Sequence, residues 1–214
     1  MKSVFLLGDS IRLGYERYVK AMLDGIAEVY APYQNCGLAQ YVQRWVHAWA
    51  IDEGVPTDVD VVHWNAGLWV VLRIFDDGPM SSPEFYAQSL ERVHGRLKML
   101  FPKAKIIFAL STCVREEDYR GEYKRLNCEI EQYNHIAMKT LGALGETFDD
   151  LYSITQNAPK ECYSDCTHFN TLAGIKLVGG KVLDCLCEAL GIERSLLVEK
   201  EAELFEIPQA ILGN

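Results

Sequence analysis

Residues 1–10 read MKSVFLLGDS, a lysine near the start and a short apolar run that ends in a glycine, an aspartate and a serine. An export signal would need an apolar stretch of about 7 to 15 residues, and residues 4–7 are too few. Four to eight apolar residues bounded by glycine are typical of a strand buried on both faces of a parallel sheet. We therefore interpret this stretch as the first strand of an α/β fold, followed by a turn that carries Ser10.

The turn at Ser10 has two interpretations. Open α/β sheets bind their ligands outside the carboxyl ends of the strands, which is where this turn places the serine hydroxyl. Aspartate and serine are also preferred residues at helix N-termini, so Asp9 or Ser10 could simply cap a helix that begins near residue 11. The tripeptide alone does not decide between a nucleophile and a cap.

Composition narrows the class of protein. A chain of 214 residues with 49% hydrophobic content can bury the core of one domain. Its 21 lysines and arginines face 30 acidic residues, and the formal charge of −9 disfavours nucleic acid and anionic membranes as main partners. Seven cysteines without an export signal indicate free thiols. We expect a cytoplasmic protein with a small-molecule substrate, and we leave a homo-oligomer open.

Strand and helix patterns alternate along the chain. Apolar runs predict strands at residues 4–7, 27–31, 59–64, 106–110 and, more weakly, 147–148. Helical spacing of apolar residues predicts helices at 11–23, 38–51, 83–100, 122–141 and 171–190. This alternation predicts a flavodoxin-like three-layer α/β/α sandwich with a central five-stranded parallel sheet.

Two other segments stand apart from this alternation. Residues 73–82, RIFDDGPMSS, are rich in turn-forming residues and predict a loop that could face a substrate. We assign residues 1–190 to the main domain and residues 191–214 to a C-terminal helical extension that packs on it, because 193–205 carry a further amphipathic pattern.

A possible partner for Ser10 lies near the other end of the chain. Asp165 and His168 are three residues apart, just before the predicted helix at 171–190. A serine hydroxyl becomes a good nucleophile when a base takes its proton, and a carboxylate can orient that base. The alternative is structural: Asp165 could cap a turn while His168 packs under the helix.

Candidate donors for a developing negative charge follow two of the predicted strands. Gly37, after the second strand, would let the backbone approach a ligand closely, and Asn65 ends the third strand. Acyl transfer needs hydrogen-bond donors aimed at the oxygen that becomes negative. Because the carboxyl ends of parallel strands share one edge, both segments are expected near Ser10.

Together these blocks resemble the SGNH, or GDSL-like, hydrolase family. The sequence GDSIRLGY matches the nucleophile block at Ser10, NCG matches the block that supplies the Gly37 N–H, and DCTH matches the block with Asp165 and His168. The resemblance extends over about residues 3–190. It implies a single-domain serine esterase that uses neither a metal nor a cofactor.

One block departs from the family pattern. The family places an asparagine two residues after a glycine, but counting from Gly67 that position is Trp69. An indole cannot replace the amide with the same geometry. We therefore predict an oxyanion hole made of the Ser10 and Gly37 N–H groups, either alone or with Asn65 as a third donor from a shifted position.

The prediction for function is hydrolysis of a short-chain ester, with acetyl the expected acyl group, of a small or carbohydrate-like alcohol. The alternative is a silent SGNH-like domain that binds a ligand or partner at the same edge. Substrate contacts are assigned to Asp9, Trp69 and Phe169. A zinc site at Cys162, Cys166 and His168 is not expected, because a structural zinc site needs a fourth ligand.

Overall fold

The computed structural model describes residues 1–75 and 77–212. Within these ranges the strands are β1 (Lys2–Leu7), β2 (Ala27–Tyr30), β3 (Val61–Trp64), β4 (Arg73–Ile74), β5 (Lys105–Ala109), β6 (Tyr123–Lys124) and β7 (Thr147–Asp149). Five of them form one sheet in the order β2-β1-β3-β5-β7, and every neighbouring pair is parallel. The predicted five-stranded parallel sheet is confirmed.

Helices cover both faces of this sheet. They are α1 (Ser10–Leu23), α2 (Ala39–Asp52), α3 (Pro83–Leu100), α4 (Asn127–Gly142), α5 (Leu151–Thr155), α6 (Leu172–Leu190), α7 (Val198–Phe205) and α8 (Pro208–Leu212). Helix α1 packs against α6, whereas α2 packs against α3 and α3 against α4. The three-layer α/β/α sandwich is therefore also confirmed.

Burial explains why β1 has no alternation of polar and apolar residues. Val4, Phe5, Leu6 and Leu7 are all at most 1% exposed, because this strand lies between β2 and β3 with helices above and below. A strand covered on both faces needs apolar side chains on both. The strand ends at Gly8, and the chain turns directly into α1.

The structure corrects the segment predicted as a helix from residue 122. Helix α4 begins only at Asn127, and the two residues of β6 pair antiparallel with β4. The segment 73–82 is therefore not a free loop throughout, because its first two residues form β4. An ion pair between Arg73 and Glu129 joins the two segments. Asp76 of this segment lies outside the described residues.

The C-terminal segment packs on α1 and α6. The Tyr18 hydroxyl donates a hydrogen bond to Glu201, and the Lys200 ammonium donates to the Asp24 carbonyl at 2.8 Å. Ile211 of α8 is 1% exposed. The domain boundary at residue 190 stays a prediction. None of the helices in the described ranges has the length and apolar character to cross a membrane.

Candidate active site

Ser10 is the first residue of α1 and follows a buried cap. Asp9 adopts an extended conformation, and its Oδ1 accepts a hydrogen bond from the Ile11 N–H at 2.9 Å. Backbone N–H groups in the first turn of a helix lack intrahelical acceptors and favour negative charge. The turn therefore presents both the Ser10 hydroxyl and a helix N-terminus at the carboxyl edge of the sheet.

Ser10, His168 and Asp165 form a continuous hydrogen-bonded chain. Ser10 Oγ lies 2.8 Å from His168 Nε2, and His168 Nδ1 lies 2.7 Å from Asp165 Oδ2. Both separations are within the range of a direct hydrogen bond. The arrangement has the geometry of a nucleophile, a base and a carboxylate that orients the base. The catalytic roles of the three residues stay predictions.

The carboxylate of Asp165 is held by several donors. Its Oδ1 accepts from the N–H groups of Thr167 at 2.7 Å and of His168 at 2.8 Å. Partial burial works to raise the pKa of Asp165, but these backbone bonds and the bond from the His168 ring outweigh it, so the pKa lies below its usual range. Asp165 therefore stays ionised beside the imidazole at neutral pH.

Backbone hydrogen bonds fix the loop that carries this pair. The Ser164 N–H donates to the His168 carbonyl at 2.8 Å, which closes a tight turn around the pair. The Arg115 N–H donates to the Cys166 carbonyl at 2.8 Å and ties the loop to the segment after β5. Thr171 caps α6 by accepting from the Gly174 N–H at 3.0 Å. The loop is thus anchored on both sides of His168.

The Gly37 loop adjoins the Ser10 turn. The Cys36 N–H donates to the Gly8 carbonyl at 3.0 Å, which fixes the distance between the two segments. Gly37 has a φ of +54°, a conformation that favours glycine, and its N–H donates to Asn35 Oδ1 at 2.9 Å. A substrate oxygen would have to share or replace this asparagine as acceptor.

Asn65 is tied to the neighbouring strand. Its amide nitrogen donates to the Ala109 carbonyl at 2.6 Å and to Ser111 Oγ at 3.2 Å, and its Oδ1 accepts from the Gly67 N–H at 3.2 Å. An amide nitrogen carries two hydrogens, and both have acceptors here. Asn65 therefore joins the ends of β3 and β5, and its role as an oxyanion donor stays a prediction.

The three residues predicted to contact substrate have different surroundings. Asp9 is 1% exposed and Phe169 is 4% exposed, with its ring packed 4.2 Å from that of Tyr163. Neither side chain has surface available for a substrate, so both assignments are wrong: Asp9 caps α1, and Phe169 belongs to the core. Trp69 is 38% exposed, and its ring lies close to Gly37.

Burial also raises the pKa of Asp9, against the lowering effects of the Ile11 N–H and of nearby cationic side chains. Its second oxygen, Oδ2, has no hydrogen-bond partner among the described residues. Asp9 is thus a structural carboxyl under the turn that carries Ser10.

Arg12 organises the candidate site, although none of the sequence motifs pointed to it. It is 2% exposed, pairs with Glu16, and its Nη2 donates to the Gln34 carbonyl at 2.6 Å. Arg12 thereby holds the loop before Gly37 against α1. A charged residue among the buried positions of an amphipathic helix was the available signal.

In the described ranges, the His, Cys, Asp and Glu side chains form no group of three that could hold a metal ion. Cys162 is buried under α6, and burial raises the pKa of its thiol. The cysteines of the described ranges are all free thiols.

Comparisons with known proteins agree on the fold. No protein-family model matches the chain, and no curated protein matches its sequence. A lipase/acylhydrolase from Enterococcus faecalis superposes with a TM-score of 0.68 at 16% identity, over 91% of this chain and 100% of that chain. A GDSL-like lipase from Bacteroides thetaiotaomicron gives 0.68 at 16% identity, over 88% and 89%.

A third solved structure is the acetyl xylan esterase AlAXEase, with a TM-score of 0.64 at 15% identity over 86% of this chain and 99% of that chain. These similarities extend over most of each chain. The protein therefore has the SGNH/GDSL-like hydrolase fold, as the sequence blocks indicated.

Proposed function

We propose that the protein is a serine ester hydrolase that works through an acyl-enzyme. The observation that carries this proposal is the hydrogen-bonded chain from Ser10 to His168 to Asp165, with separations of 2.8 and 2.7 Å. It lies at the carboxyl edge of a parallel sheet, where open α/β folds place their ligands. The fold similarity to lipases and esterases supports the same class of reaction.

In the proposed reaction, Ser10 Oγ attacks the ester carbonyl carbon while its proton passes to His168 Nε2. The carbonyl electron pair moves onto oxygen and forms a tetrahedral oxyanion. The oxyanion collapses, the bond to the alcohol oxygen breaks, and His168 returns the proton to that oxygen. Water, activated by His168 in the same way, then hydrolyses the acyl-Ser10 ester and releases the acid.

The proposed oxyanion donors are the Ser10 N–H at the start of α1 and the Gly37 N–H. Preorganised donors of this kind stabilise charge that develops only in the transition state. Asn65 contributes indirectly, because its bonds to Ala109 and Ser111 fix the end of β3 beside the site. It would become a direct donor only by giving up one of these bonds.

The proposed substrate is a short-chain ester, with acetyl as the preferred acyl group, of a small or carbohydrate-like alcohol. The exposed ring of Trp69 beside Gly37 supports contact with an apolar group or a sugar face at this edge. One structural neighbour is an acetyl xylan esterase, which agrees with this substrate class without defining it.

A fluorophosphonate probe tests the proposal, because it forms a covalent bond only with an activated serine. We expect labelling of the wild-type chain, and no labelling of Ser10→Ala, with loss of acetyl ester hydrolysis. Ser195→Ala is a matched control, since Ser195 is exposed on the C-terminal segment, and it should behave as wild type. An unlabelled wild-type protein would instead favour a silent domain that binds a ligand at this edge.

A further inference from the structure

A cleft of about 350 Å³ opens beside Ser10 and His168. Its size falls within the usual range of small-molecule sites. Four of its lining side chains are apolar, and two of these come from the short helix α8: they are Leu13, Ile175, Ile211 and Leu212. The C-terminal segment therefore forms part of the wall of the candidate active site.

This wall is held in place rather than loosely apposed. Ile211 is 1% exposed and belongs to the hydrophobic core, whereas Leu212 is 45% exposed at the cleft. The preceding helix α7 is fastened by the bond from Tyr18 to Glu201 and by Arg194, whose Nη2 lies 2.9 Å from Glu201 Oε1. Anchored side chains of this kind can select a ligand by shape, because they do not have to be ordered on binding.

The position of the cleft relative to His168 indicates which half of an ester would enter it. In acyl transfer, the base that accepts the serine proton later donates it to the leaving oxygen, so the leaving group must lie on the histidine side of the serine. Asn170, two residues after His168, lines this same cleft. The Gly37 loop is not among the residues that line it.

We propose that this cleft binds the alcohol half of the ester and that α8 sets its selectivity for alcohols with an apolar face. Leu13 and Leu212, which are 38% and 45% exposed, would contact that face, while Arg17 and Asn170 offer hydrogen-bond donors to its polar edge. This inference rests on the proposed esterase activity and adds the substrate half and the residues that recognise it.

The test compares two ester series in one assay of kcat/KM. The first series varies the alcohol at constant acetyl, from methyl acetate to cyclohexyl acetate. The second varies the acyl group at constant alcohol, from methyl acetate to methyl hexanoate. Leu212→Trp narrows the cleft and Leu212→Ala widens it, and Leu196→Ala is the control because Leu196 is 73% exposed and does not line the cleft.

We expect Leu212→Trp to lower the ratio of kcat/KM for cyclohexyl acetate to kcat/KM for methyl acetate about 10-fold, a typical effect of changing an apolar pocket. Leu212→Ala should also change this ratio, and neither variant should alter the hexanoate-to-acetate ratio or the melting temperature. Leu196→Ala should leave both ratios at the wild-type value.

A change confined to the acyl series would overturn the assignment, because the cleft would then hold the acyl group. Two unchanged ratios would also reject it, while leaving the esterase proposal intact. Absence of hydrolysis of every ester by the wild-type protein would reject the esterase proposal itself, and the subsite with it.

Discussion

Two histidine–carboxylate pairs in this molecule have nearly the same geometry and different surroundings. At the candidate site, His168 Nδ1 lies 2.7 Å from Asp165 Oδ2, and the second ring nitrogen faces Ser10. Elsewhere, Nδ1 of His94 in α3 lies 2.6 Å from Oε1 of Glu146, the residue just before β7. The other oxygen of Glu146 accepts from the Trp64 indole at 3.0 Å.

Solvent and backbone donors make the two carboxylates differ. The Asp165 side chain is 51% exposed and that of Glu146 is 1% exposed. Burial raises the pKa of Glu146 despite the opposing bonds from His94 and Trp64, whereas backbone and ring hydrogen bonds outweigh burial and lower the pKa of Asp165. A histidine beside a carboxylate is thus not in itself a catalytic feature; at the candidate site, the second ring nitrogen of His168 also lies within hydrogen-bond distance of Ser10.

The largest expected effect follows from removing the charge of Asp165. Asp165→Asn should lower kcat for acetyl ester hydrolysis on the order of 10⁴-fold, because the amide favours the wrong histidine tautomer. The melting temperature should change little, since the side chain is half exposed. Steady-state kinetics and a thermal melt measure the two effects, and a variant with near-normal kcat would remove Asp165 from the catalytic assignment.

The second effect concerns the buried pair of His94 and Glu146. Glu146→Ala should lower the free energy of unfolding by about 1 to 3 kcal/mol, because the Trp64 and His94 donors lose their buried acceptor. In a chain of this length, each kcal/mol lost corresponds to a fall of roughly 2 to 4 °C in the melting temperature. Urea unfolding measures the loss, and kcat should stay at the wild-type value; a large fall in kcat with unchanged stability would contradict the contrast between the pairs.

The smallest effect is the opposite pH dependence of the two carboxylates. Because the pKa of Glu146 is raised in the folded state, this group stabilises the protein below about pH 4.3, the usual glutamate pKa. The contribution is lost as pH rises through the folded pKa of Glu146. A lowered pKa stabilises above about pH 3.9, and that contribution is lost as pH falls through the folded pKa of Asp165.

Urea unfolding of wild type, Glu146→Gln and Asp165→Asn at a series of pH values from about 3 to 7 would measure this difference. The stability advantage of wild type over Glu146→Gln should shrink as pH rises. Its advantage over Asp165→Asn should grow with rising pH at the acidic end. If the two stability differences changed with pH in the same direction, the surroundings would not shift the two pKa values in opposite directions.

The sequence predicted the elements whose signals are local. The apolar run before Gly8 defined β1, and the predicted helix at 83–100 has the same bounds as α3, where Ser82 caps the helix and Pro83 opens it. The start of α4 was wrong because β6 has only two residues, too few for a periodic pattern. The pairing of β4 with β6 depends on contacts between segments about 50 residues apart.

The candidate site shows the same division. Ser10, Asp165 and His168 were chosen from short blocks, and the structure places them within hydrogen-bond distance of one another. The environment of the neighbouring residues was not visible in the sequence. Asp9 and Phe169 are as polar and as aromatic as their predicted role required, yet both are buried.

The sequence by itself determined the layered α/β architecture and the residues with reactive groups, because hydrophobic periodicity and residue chemistry are properties of short segments. Only the tertiary structure decided which side chains face the cleft, which donors of Asn65 and Gly37 are already occupied, and that α8 lies beside Ser10. The reason is physical: burial, hydrogen-bond satisfaction and pKa depend on segments far apart in the chain, and these come together only when the core packs.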